Sequence, residues 1–327
     1  MTTTSRDQAP VPCTERNLPF TGPWLLAPME GVTEPVFREL VLKRNAADQL
    51  GGAFTEFVRV TDHAIPAKVL RAHLGEDRFD APVGLQLMGA DLDALAQTAR
   101  RAEEAGAPLL DLNFGCPAKG ALKGCAGSAT LTDPARVEAT VRACSDAVEN
   151  IPVTAKMRAG YEDDTLLEDN VLAAESGGAA LVTVHCRTKA ENYSPHIDWT
   201  RLARAVEVAA GPICGNGGVR SHRDLERMRE ETGCRYVMVG HGALADPWIF
   251  TGTEVSSQTA AQFLIEYSGR LVAGGVSTRG SVQRVKQLIV HWTAGGLCED
   301  RDSWLRERDP ETLLLRLQSL SSPKQTH

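Results

Sequence analysis

Eight apolar runs of strand length recur between Trp24 and Gly240, and stretches with helical spacing separate them. The runs are Trp24 to Ala27, Gly52 to Phe57, Pro82 to Met88, Leu109 to Asn113, Pro152 to Met157, Ala180 to His185, Gly211 to Cys214 and Arg235 to Gly240. Helices are expected between them over 91–105, 133–148, 166–176, 198–209 and 221–231. Asp91, Asp133 and Ser221 stand where N-caps belong, and Gly106 and Gly233 stand near the ends. Strands that are apolar on both faces need cover on both faces, which a parallel sheet wrapped in helices supplies. Eight repeats in about 230 residues suit a closed (β/α)8 barrel of the TIM type better than an open doubly wound sheet.

Polar residues then fall at or just beyond the C-terminal ends of these runs. In chain order they are Pro28-Met29-Glu30, Glu56, Gln86, Asn113, Lys156, His185, Asn216 and Gly240-His241. The loops after the strands of such a barrel share one mouth, so this series predicts a lined pocket.

After about residue 251 the strand pattern stops. Helices are expected over 260–273, 281–293 and 304–320, giving an N-terminal extension (1–22), a barrel (23–250) and a smaller helical domain (251–327). The chain carries 35 Lys+Arg against 42 Asp+Glu, a formal charge of −7, yet Ser268 to Cys298 contains Arg270, Arg279, Arg284 and Lys286 and no acid. Phosphate contacts follow local basic density and not the total, so this segment is a candidate nucleic-acid face; a solvated helix surface would read the same way.

Eight cysteines are scattered with no CxxC pair, so neither a zinc site nor a disulfide framework is expected. No apolar run reaches the ~18 residues of a membrane span and no signal peptide is visible; a cytoplasmic protein is expected. One cysteine stands out by its surroundings. Gly115 and Pro117 hold Cys116 in a turn just outside a strand, where a thiol protonated at neutral pH could act as a general acid. Taken alone, such a cysteine is more often a small buried hydrophobe.

Six segments together resemble the tRNA-dihydrouridine synthases in order and spacing. They are Leu26-Ala-Pro-Met-Glu-Gly-Val32, Asn113-Phe-Gly-Cys-Pro-Ala-Lys119, Ala155-Lys-Met-Arg158, Val184-His-Cys-Arg-Thr188, Gly215-Asn-Gly-Gly218 and Val239-Gly-His-Gly-Ala-Leu244. Glu30 and Thr55-Glu-Phe-Val-Arg-Val60 are most similar to the C-type branch, which acts on uridine 16 of tRNA. The resemblance implies FMN at the barrel mouth, NADPH as reductant, hydride passing from flavin N5 to uracil C6, and a Cys protonating C5. It makes Cys116 the acid and gives FMN to Pro28, Met29, Glu30, Gln86, Lys156, Asn216, Gly217, Gly218, Gly240 and His241.

His185 and Arg187 would face the phosphate or the uracil carbonyls, and Asn113 would hold the flipped base. Arg284 and Lys286 would grip the tRNA backbone, with Arg59 orienting it. Lys156 suits the negative charge of reduced flavin, and Gln86 offers the ring edge a donor and an acceptor. The glycine-rich turns after the seventh and eighth strands suit phosphate. Family members commonly carry Arg where this chain has His241, which points to pH-dependent FMN retention. No GxGxxG fingerprint is present, so the nicotinamide is expected to dock transiently on the flavin. Neither a metal nor a membrane is expected as a partner, and the chain should act as a monomer. Two other readings stay open: an FMN barrel acting on a small molecule of dihydroorotate or enone type, and a tRNA-binding module whose flavin pocket has decayed.

Overall fold

The computed structural model describes residues 17–77, 79–118, 126–192 and 194–321. Most of the expected N-terminal extension, and Lys119, Gly124 and Cys125 beside the Cys116 turn, lie outside these residues. Nine parallel strands form one sheet: β1 (Trp24–Leu26), β2 (Leu50–Phe54), β3 (Val58–Val60), β4 (Val83–Gly89), β5 (Leu110–Phe114), β6 (Val153–Arg158), β7 (Leu181–His185), β8 (Ile213–Asn216) and β9 (Tyr236–Val239). β1 pairs with both β2 and β9, and β2 also pairs with β4 through Ala53 opposite Val83 and Phe54 opposite Gly84. The sheet therefore closes on itself as a TIM barrel.

It has eight staves, one of them in two pieces. The expected strand 52–57 runs on only to Phe54, and the chain rejoins β4 at Val58 opposite Leu87. The break at Thr55-Glu-Phe57 has a tertiary cause. The Thr55 hydroxyl accepts from the Gln86 amide and the Glu56 carboxylate accepts from the Gly31 N–H, so these side chains serve the mouth.

The helix signals read from the sequence hold in detail. Asp91 accepts from the Ala94 N–H at 2.8 Å, Asp133 from the Ala135 N–H at 3.1 Å, and Ser221 forms a reciprocal capping box with Asp224. Gly233 ends that helix with φ +75°, a conformation glycine adopts without strain. Three helices were not anticipated, Pro35–Leu42, Ala67–Leu74 and the single turn His241–Ala245.

Beyond the barrel the helices are Ser257–Ala273, Thr278–Ile289, Arg301–Arg306 and Pro310–Ser321. The single helix expected over 304–320 is in fact two, because Pro310 has no N–H to continue a ladder and suits a first turn instead. One apolar cluster runs from the barrel wall into these helices, joining Phe37 to Phe263 and Tyr267, Trp248 to Phe263, and Phe263 to Trp292. Among the described residues, no helix is long and apolar enough to cross a membrane.

Candidate active site

A cavity of about 600 Å³ opens at the C-terminal ends of the strands. It gathers Pro28, Met29, Glu30, Gln86, Asn113, Cys116, Lys156, His185, Arg187, Asn216, Gly217, Gly218, Gly240 and His241; of the strand-end series expected to line it, Glu56 does not, its carboxylate being taken by the Gly31 N–H. Arg59, Arg284 and Lys286 lie outside it. Its described lining holds Lys156, Arg158 and Arg187 against one carboxylate, Glu30, so the pocket is cationic within an acidic chain. That balance suits an anionic ligand.

Its floor is a chain of hydrogen bonds across three neighbouring strands. The Thr154 hydroxyl donates to Asp111 Oδ1 at 2.6 Å, and Gln86 Nε2 donates to Asp111 Oδ2 at 2.6 Å. Asn113 Nδ2 donates to Gln86 Oε1 at 2.8 Å, and Asn113 Oδ1 accepts from the Gly115 and Cys116 N–H groups at 2.9 Å each. Parallel pairing sets these positions, since Gln86 stands opposite Asp111 and Asp111 opposite Thr154. Asn113 is thus an anchor for the Cys116 turn. One hydrogen of its amide nitrogen and one of Gln86 are left over for a ligand.

Cys116 packs against Met88, Ala126, Phe57 and Ala90 while still lining the cavity. Its carbonyl accepts from the Ser128 N–H and hydroxyl at 3.1 and 3.0 Å, which ties down the far side of the turn. Burial pushes the thiol above its ordinary range; the Ala118 backbone N–H opposes this, Glu30 adds to it, and Arg158 and Arg59 oppose it more weakly. At neutral pH the thiol carries its proton.

Lys156 Nζ donates to Asn216 Oδ1 at 3.2 Å, and Asn216 Nδ2 donates to the Met238 carbonyl at 2.7 Å. Burial lowers the ammonium's pKa, and the buried Asp111 carboxylate opposes that fall; burial in turn raises Asp111. His185 is held well below the usual range by burial and by Lys156, Arg158 and Arg187, so its ring is neutral at pH 7.

Gly217 and Gly218 take φ of +105° and +83°. A Cβ at Gly217 would lie 2.8 Å from Cys186 Sγ and 3.2 Å from His185 Nε2, so this turn brings bare backbone to the pocket. His241, at the mouth of the eighth stave, stacks on His291 with ring centroids 5.0 Å apart and 13° between planes.

Several contributors were missed by sequence reasoning. Arg158 ties the Cys116 turn to the loop after β7, with Nε on the Gly115 carbonyl at 2.8 Å and Nη1 on those of Thr188 and Asn192. Asp111 carried a signal, a carboxylate inside the apolar strand Leu110-Asp-Leu112. Phe57, and Gln287, Val290 and His291 from beyond the barrel, gave none, because their approach to the mouth is tertiary.

Of the residues expected to meet RNA, Arg59 is exposed on β3. Arg284 reaches the loop after β1, 4.0 Å from Glu34 Oε1. Lys286 points elsewhere. Its ammonium donates to the carbonyls of Leu305 and Glu307 at the end of the Arg301–Arg306 helix, where a cation also suits the helix dipole.

Residues 25–268 match the profile of the dihydrouridine synthase (Dus) family. The chain belongs to that family. A tRNA-dihydrouridine(16) synthase of Pseudomonas syringae pv. tomato is 40% identical over 229 residues, 68% of this chain and 71% of the relative. One from Shewanella oneidensis is 37% identical over 262 residues, covering 76% and 82%, and one from Cupriavidus necator is 41% identical over 236 residues, covering 68% and 71%. The relatives share one name, which places this dihydrouridine synthase in the C-type branch and makes it an oxidoreductase.

Proposed function

We propose that the chain reduces uridine to 5,6-dihydrouridine in the D-loop of tRNA, at position 16, with FMN in the mouth cavity and NADPH as the reductant. The relatives' shared name supports both the substrate and the position. The observation carrying the chemistry is a thiol held protonated in one cavity with a buried ammonium.

The cavity fits the cofactor. About 600 Å³ lies within the usual range of cofactor pockets, the lining is cationic, and Gly217 would lose its close approach if it carried a Cβ. Gly217, Gly218, Gly240 and His241 would hold the phosphate, and Pro28, Met29, Glu30, Gln86, Lys156, His185 and Asn216 would hold the rest. When bound and reduced by NADPH, FMN supplies the hydride from N5 to uracil C6.

The protein's own residues do the remainder. Lys156, steadied by Asn216, places positive charge where negative charge builds up in the pocket. Cys116 gives its proton to C5, and the apolar contacts around it keep bulk water from competing. Asn113 and Arg187 meet the base, whose unstacking is easiest in an open loop. Outside the cavity, Arg59 and Arg284 are the basic groups for the RNA backbone, with the helical segment 251–327 as the RNA-binding unit. Lys286 would reach RNA only by leaving its carbonyls. On this reading the chain works in the cytoplasm as a monomer.

The test begins with the visible spectrum of the purified protein. A flavin band bleached by NADPH is expected, and a colourless protein that cannot be reconstituted would overturn the reading. Dihydrouridine mapping in tRNA from cells lacking the gene then separates this activity from a small-molecule reductase: position 16 should revert to uridine.

A further inference from the structure

The hydrogen-bond chain under the pocket has a direction. At one end the Gly115 and Cys116 N–H groups can only donate, so Asn113 must turn Oδ1 toward them and Nδ2 toward Gln86. Gln86 must then turn Oε1 toward Asn113 and Nε2 toward position 111. The far end therefore has to accept, and Asp111 accepts there from Gln86 and on its other oxygen from Thr154.

We propose that Asp111 is a positioning residue: its buried carboxylate fixes the orientation of both amides and, through Gln86 and Asn113, the place of the Cys116 thiol in the mouth. An Asn at 111 can turn either its oxygen or its NH₂ toward Gln86, so it would let the amides turn over. Asn113 would then face two backbone N–H groups with a third donor. Lone amides flip readily, whereas a buried acceptor-only group admits one arrangement. The charge has a second effect, since it opposes the loss of the Lys156 proton that burial favours.

The orienting role does not depend on flavin or RNA. Only its catalytic meaning rests on the proposed function, so the test reads the thiol directly. Alkylation of Cys116 by iodoacetamide is followed in the full-length protein by peptide mass spectrometry, beside a thermal melt. Asp111→Asn should raise the alkylation rate about fivefold, as expected for a turn losing a buried hydrogen-bonded anchor. The double variant Asp111→Asn with Gln86→Glu puts the acceptor-only group back in the chain one position along, and should return the rate to within about twofold of the parent. A merely structural role predicts no such rescue.

A folded Asp111→Asn protein with the parental rate, or a double variant no slower than the single, would overturn the proposal. If Asp111→Asn does not fold, Gln86→Met removes the middle of the chain at similar volume. It should raise the rate likewise, and an unchanged rate would be equally fatal.

Discussion

At the scale of single residues, the departure with the clearest consequence is His241. Its pKa is lowered by burial, by the stacked His291 ring and by Arg187, so in the free pocket the ring is neutral at pH 7. A phosphate beside it favours the protonated form, so binding takes up a proton; retention is strongest at low pH and weakens as pH climbs past the depressed free value. FMN affinity measured by fluorescence should therefore fall between about pH 6 and about pH 8, and His241→Arg, with a permanent charge, should flatten the profile. A flat parental profile would remove His241 from the phosphate site. Arg284 and Lys286 divide in the same spirit. Arg284→Ala should lower the salt slope of tRNA binding by about one. Lys286→Met, which unties two carbonyls, should cost about 1 kcal/mol in chemical denaturation and leave the slope alone. Equal loss of slope in both would return Lys286 to the RNA face.

At the scale of elements, the strand ends were the legible part. Apart from Glu56, the pocket residues named from the sequence line the cavity, because a parallel barrel delivers the C-terminal ends of its strands to one rim. What was missed has physical reasons. Gln86 lies within β4 and was legible only as a polar residue; its bonds to Asp111 and Asn113 depend on register with β5, which local pattern does not specify. Asn113, expected to hold a base, is largely occupied by the turn two residues on. The split second stave follows from tertiary demands on Thr55 and Glu56. The turn after β8 can be tested as an element. Gly217→Ala forces a side chain into φ +105° and against Cys186 and His185, so it should cost about 1–3 kcal/mol by denaturation and weaken FMN retention. Parental stability would mean the turn relaxes freely.

At the scale of the whole molecule, the charge total misleads and its distribution informs. A chain of −7 concentrates three cations and one carboxylate in the described lining of its mouth cavity. The segment after the barrel was legible as helical and basic, but not as a wall of the pocket, to which it brings Gln287, Val290 and His291. That contact arises because Phe263, Tyr267 and Trp292 share the barrel's apolar core, a long-range packing that no local spacing encodes. The barrel and these helices together yield one claim, that a protonated Cys116 completes the reduction of a tRNA uridine. The direct measurement is single-turnover formation of dihydrouridine on unmodified tRNA by flavin-loaded, NADPH-reduced protein, comparing the parent with Cys116→Ala. The parent should convert position 16, and the variant, retaining its flavin, should be slower by about 100-fold or more. Equal rates, or no product from a parent whose flavin is fully reduced, would contradict the account.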